Sequence, residues 1–86
     1  MEHEVTEQDG ALIVGFSGDV DLQSSPDARK ILLGCVARNM PVLVDLSKVN
    51  YIDSSGIASL VESLQTARKG GGNLLLVSVS EAALRV

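Results

Sequence analysis

The spacing of apolar and polar residues changes several times along the chain, and each change marks an element. Glu4-Val5-Thr6-Glu7-Gln8 reads as a short polar strand. Asp9-Gly10 follows as a two-residue hairpin turn, because Gly accepts positive φ without steric cost. Ala11 to Ser17 reads as a second strand, with Leu12, Val14 and Phe16 on one face. Gly18-Asp19-Val20-Asp21 leads into a loop. Ser25-Pro26-Asp27 is a helix start, with Ser25 as N-cap, Pro26 at the first helical position and Asp27 in the first turn. Ala28, Ile31, Leu32, Cys35 and Val36 give this helix an apolar face. Asn39-Met40-Pro41 stops it.

Val42 to Leu46 is nearly continuous in apolar residues, the pattern of a parallel strand covered on both faces. Ser47 to Asp53 reads as a connection carrying Tyr51 and Ile52. A second helix begins near Ser54. Its expected apolar stripe is Ile57, Leu60, Val61, Leu64 and Ala67. Arg68 and Lys69 suit its last turn, and Gly70 its C-cap. Leu74 to Val79 reads as a further buried strand. Ser80 to Val86 reads as the start of a third helix, cut short. The order is ββαβαβα, which predicts an α/β fold with a small mixed sheet and right-handed crossovers between parallel strands. Residues 1–86 are expected to form a single domain. Ending inside a helix, it reads as C-terminally truncated or completed by neighbouring chain or a partner.

Composition narrows the function. With 86 residues, the chain buries roughly 60–65% of its unfolded surface. Phe16 and Tyr51 are the chain's only Phe, Tyr or Trp residues, so the core is built from Leu, Val, Ile and Ala. Such a chain offers no stacking platform for nucleic acid. The net charge is −4, and Lys and Arg occur only singly or in pairs, which argues against phosphate-backbone binding and for protein partners. Cys35 sits on an apolar stripe and reads as a small buried hydrophobe. The start Met1-Glu2-His3-Glu4 carries no secretory signal, and no apolar run is long enough to span a bilayer. The expected location is cytoplasmic.

Catalytic constellations are missing. His3 is the one histidine and lies at the terminus, so a Ser-His-Asp arrangement lacks its base. One Cys and one His do not make a metal site, and Asp19 with Asp21 reads as a solvated acidic loop. No cofactor is expected. Gly70-Gly71-Gly72 leaves a helix and enters a strand, the reverse of a phosphate cradle.

Asp53-Ser54-Ser55-Gly56 stands apart. It opens a helix near the carboxyl end of a strand, where open α/β sheets place ligands and partners. All four are also ordinary helix-start residues, so capping alone is a competing account. Two consecutive serines exceed what one cap needs. Asp19, Asp21 and Asp45 are expected to converge on the same end of the sheet. A serine at a helix N-terminus suits phosphorylation, and a phosphate would add about −1.5 to −2 charges beside these carboxylates. That would repel an acidic or apolar partner face without a change of fold.

Gly18-Asp19-Val20-Asp21, Val44-Asp45-Leu46-Ser47 and Tyr51-Ile52-Asp53-Ser54-Ser55-Gly56-Ile57 together resemble the STAS domain of bacterial anti-sigma factor antagonists. The resemblance covers nearly the whole chain. It implies a non-enzymatic protein that binds an anti-sigma factor, itself a serine kinase, and so frees a sigma factor for transcription. The kinase would phosphorylate Ser54, which weakens binding, and a serine phosphatase would reset the switch. Asp21 would lie close to that serine. The partner-binding residues expected on this basis are Asp21, Asp53, Ser54, Ser55, Gly56, Ala58 and Glu62, with Thr66 on the same helix face. Gly56 would let a partner backbone approach. Nucleic acid and direct membrane insertion are not expected. The family also contains the STAS subunit of ABC transporters that move phospholipids, which docks on the ATPase, and the tails of anion transporters. The transporter subunits often replace the two serines that Ser54 and Ser55 keep here.

Overall fold

The structure is a computed structural model that describes residues 1–79. Six elements follow in the order β1 (Glu2–Gln8), β2 (Ala11–Val20), α1 (Ser25–Val36), β3 (Val42–Ile52), α2 (Ser54–Lys69) and β4 (Leu74–Val79). The helix expected from Ser80 lies outside the described residues. The strands form one mixed sheet in the order β1-β2-β3-β4. β1 and β2 make an antiparallel hairpin in which Gln8 faces Ala11. Its turn is Asp9-Gly10, with φ of 52° and 80°. β2 pairs with β3, and β3 with β4, in parallel.

Strand order explains the layering. Both crossovers, β2-α1-β3 and β3-α2-β4, step across the sheet in the same direction. Crossovers of one hand that step the same way place their helices on the same face. The core therefore lies between the two helices and one face of the sheet. Leu12, Val14, Phe16, Leu32, Val42, Val44 and Leu46 are buried there. The expectation of strands covered on both faces is corrected by this topology. In β3 burial alternates, with Leu43 and Asp45 only partly covered. In β4 Leu74 is buried, whereas Leu75, Leu76 and Val77 are about half exposed or more.

β2 and β3 run longer than expected. β2 continues through Gly18 to Val20, and the segment expected as a connection after Ser47 is strand to Ile52. Irregular register between Gly15 and Ser17, and again between Gly18 and Asp19, breaks the period that pattern reading depends on. Gly18 sits at the second irregularity with φ of 82°, a conformation costly for any residue with a Cβ.

α2 is turned relative to its expected stripe. Gly56, Ser59, Ser63 and Ala67 are its buried residues, and Leu60 and Leu64 are partly covered. Ile57 and Val61 are exposed. The buried hydroxyls carry their own partners: Ser63 Oγ donates to Ser59 O at 2.8 Å, and Ser59 Oγ lies 3.1 Å from Ser55 O and 3.2 Å from Ser25 O of α1. A serine that bonds back along its own helix is small and satisfied, so it can occupy a helix contact that leucine would hold apart.

Candidate functional site

β2 and β3 end side by side, with Val20 opposite Ile52. The chain leaves each strand through an aspartate, Asp21 and Asp53. These two carboxylates organise everything around the ends of the strands.

Asp53 is the N-cap of α2. Its backbone is extended, and its Oδ1 accepts from Ser55 N–H at 2.9 Å and Gly56 N–H at 3.1 Å. Two of the amides that a helix start leaves unpaired are thereby satisfied. Asp53 N–H donates to Val20 O, and Oδ2 accepts from Leu22 N–H at 3.1 Å. One side chain thus ties the start of α2 to the loop between β2 and α1.

Asp21 fastens the other side of that loop. Its Oδ1 accepts from Gln23 N–H and Ser24 N–H, both at 3.1 Å. Ser24 Oγ accepts from Asp21 N–H and donates to Asp19 O, each at 2.9 Å. Bonds from the Ser24 amide and hydroxyl hold the Asp21 carboxyl below the usual carboxylate range. α1 starts one residue earlier than expected: Ser24 is its N-cap, Ser25 its first residue, and the Ser24 side chain turns back to the loop. The sequence signal for this loop is an Asp followed three residues later by Ser, a pair able to exchange backbone bonds.

Ser54 is exposed at the first position of α2, and its hydroxyl makes no hydrogen bond among the described residues. Ser55 is partly covered, and its carbonyl receives Ser59 Oγ. Gly56 is buried. A Cβ there would stand 2.6 Å from both Val20 O and Ile52 Cγ1. The close approach it permits is internal, between α2 and the strand ends.

Among the candidate residues, Asp21, Asp53, Ser54 and Ser55 come together. Asp45 does not join them. Its Oδ1 accepts from Ser47 N–H at 2.9 Å, and the Ser47 hydroxyl, with that amide, holds its carboxyl below the usual range. It lines a hollow of about 400 Å³ on the open face of the sheet, with Glu2, Glu4, Gly15 and Lys48. The strand's alternation sends Asp45 to that face, opposite the helices. Ala58, Glu62 and Thr66 are exposed along α2, but the Glu62 carboxylate is engaged by Arg29 of α1, Nε to Oε2 at 2.6 Å and NH2 to Oε1 at 2.8 Å. Leu22 and Arg29 are additions that pattern reading did not supply. Leu22 is an apolar residue in a polar loop, and its place emerges only when β2 and β3 are adjacent.

The glycines 70–72 form the end of α2 and the turn into β4. Gly70 N–H donates to Thr66 O and Gly72 N–H to Ala67 O. Among the described residues no group of three or more His, Cys, Asp or Glu could hold a metal ion. No helix among them is long and apolar enough to cross a membrane.

Similarity to known proteins agrees with this geometry. The chain is 28% identical over 83 residues to the anti-sigma-B factor antagonist of Bacillus subtilis (strain 168), covering 96% of this chain and 76% of that protein. Its structure superposes on an anti-sigma factor antagonist from Mycobacterium paratuberculosis with a TM-score of 0.86 and 26% identity, over 98% of this chain and 72% of that one. The Bacillus cell fate determinant SpoIIAA in its phosphorylated form shares the fold, with a TM-score of 0.71 at 12% identity over 87% and 70% of the two chains. Residues 2–86 match the STAS domain, and the chain belongs to that family.

Proposed function

We propose that this chain is an anti-sigma factor antagonist that acts by reversible protein binding and is switched by phosphorylation of Ser54. The observation that carries the reading is the setting of the Ser54 hydroxyl: exposed, unbonded, and fixed at a helix start by the neighbouring Asp53 cap. Ser55, partly covered and one residue further into the helix, is the poorer acceptor. The partner is an anti-sigma factor with serine kinase activity. It transfers the γ-phosphoryl group of ATP to Ser54 Oγ, a kinase base takes the hydroxyl proton, and ADP leaves. A serine phosphatase hydrolyses the phosphoester and restores the hydroxyl. The chain itself supplies no reacting group beyond the acceptor.

The charge balance supports the direction of the switch. A phosphate adds about −1.5 to −2 charges within a few residues of Asp53 and Asp21. It increases a negative field in a chain already at −4. Binding to the anti-sigma factor weakens, and the sigma factor is recaptured.

The test is incubation of the chain with its cognate kinase and ATP, followed by phosphosite mapping. Phosphate is expected on Ser54 and absent from Ser54→Ala. Ser54→Ala is expected to keep binding the kinase, and Ser54→Asp to bind more weakly. An unmodified chain that co-purifies with the ATPase of an ABC transporter would replace this reading with the transporter one.

A further inference from the structure

Leu22 is the most exposed large apolar side chain among the described residues, at 72%. A single exposed leucine is ordinary on a protein surface. The setting of this one is not. Its amide is held by Asp53 Oδ2, a residue 31 positions away. The next two amides are held by Asp21 Oδ1, the preceding one by Ser24 Oγ, and Ser25 N–H donates to Asp21 O. Every amide from Asp21 to Ser25 is therefore bonded, and the loop presents its leucine in a fixed place. Ordering a loop is a cost that association usually has to meet, and here folding has met it already.

Position adds to this. Asp53, which holds Leu22, immediately precedes Ser54. The loop that carries Leu22 and the Ser54 hydroxyl are therefore presented at the same end of the sheet. Ile57, one turn along α2 from Ser54, is a second exposed apolar side chain on that helix. The surroundings are acidic: Asp19, Asp21 and Asp27 border an open hollow beside the loop. An apolar side chain beside an acidic hollow complements a pocket lined by aliphatic or aromatic side chains and flanked by Lys or Arg.

We infer that Leu22 is the apolar anchor through which the anti-sigma kinase docks at the Ser54 site, and that Asp53 is the residue that positions it. The inference rests on the function proposed above and assigns that interface its central contact. Oδ1 of Asp53 starts the helix, and Oδ2 holds the anchor. The two oxygens do different work, so the two roles can be separated.

Calorimetric titration of the purified chain into the kinase tests this, with steady-state phosphorylation run in parallel. Leu22→Ala is expected to weaken binding by about tenfold or more, the loss typical of a buried anchor. It is expected to raise KM for Ser54 phosphorylation and leave kcat unchanged, because the acceptor itself is untouched. Leu75→Ala, on the open face of the sheet, serves as the control and is expected to bind as the wild type. Asp53→Asn keeps an oxygen for Ser55 and Gly56 but presents an amide group to Leu22 N–H. Faster hydrogen exchange at the Leu22 amide and weaker binding are expected, with the helix intact by circular dichroism. Wild-type binding that Leu22→Ala reduces by less than about twofold overturns the anchor while leaving the Ser54 switch in place. A wild-type chain that binds no such kinase overturns both.

Discussion

A methyl group at Gly56 would stand 2.6 Å from Val20 O, a backbone atom that also receives Asp53 N–H. The strand end cannot move without loosening that bond. Gly56→Ala gains about 1 kcal/mol of helix propensity, but the forced contact costs about 1–3 kcal/mol or more. Net destabilisation is expected, read as a lower urea midpoint, together with weaker binding because α2 is displaced at its first turn. Asp21 makes a different prediction. Its folded pKa lies below the ordinary carboxylate value, so its contribution is complete above about pH 4 and is lost as pH falls through the lowered value. The thermal midpoint of the wild type should exceed that of Asp21→Asn at neutral pH, and the gap should close in strongly acidic solution. Cys35 is buried, and burial pushes its thiol pKa up. Reaction with a thiol reagent at mildly alkaline pH is expected to be slow until denaturant is added.

Among the elements, α1 and the hairpin are the ones whose residues announce their structure. Asp9-Gly10 has one compact solution, and Ala28, Leu32 and Cys35 are buried as their spacing indicates. α2 misleads, because its most deeply buried side chain is Ser63 and not a leucine. Hydropathy ranks serine as polar, and only the i−4 back-bond makes it a packing residue. At roughly 100° per residue, Ile57, Val61 and Leu64 fall on the flank away from Ser59 and Glu62, which meet α1. The site shows the same division. Asp53 and Ser54 are visible in the sequence as a helix start. The Leu22 bond joins two loops through a sheet register that no local pattern contains. Between the helices, the Arg29–Glu62 pair is bidentate but half exposed, so salt screens it. Glu62→Gln is expected to change stability little, and what it changes should vanish in 1 M salt, where the Debye length is roughly 3 Å. A larger effect on kinase binding than on stability would place Glu62 in the contact surface.

Across the whole molecule the two sheet edges differ in character. β1 carries Glu2, Glu4 and Glu7 and is exposed along its length. Charged edges resist pairing with other strands. β4 presents Leu75, Leu76 and Val77 and has no charge between Leu74 and Val79. Self-association of the chain at high concentration is expected to run through β4. Leu75→Lys should lower it in sedimentation velocity, with a change in stability within about 0.5–1 kcal/mol. The Ser54 site lies at the carboxyl ends of the central strands and is left free by contacts at this edge.

The bond from Leu22 to Asp53 has one more consequence. It spans 31 residues and forms only when β2 and β3 lie side by side. A partner that docks as proposed above meets a discontinuous epitope, absent from any short peptide around Ser54. A synthetic peptide of residues 50–65 should be phosphorylated far less efficiently than the intact chain. A kinase that depends on this surface modifies only chains that have finished folding, so the phosphate also certifies its carrier as native.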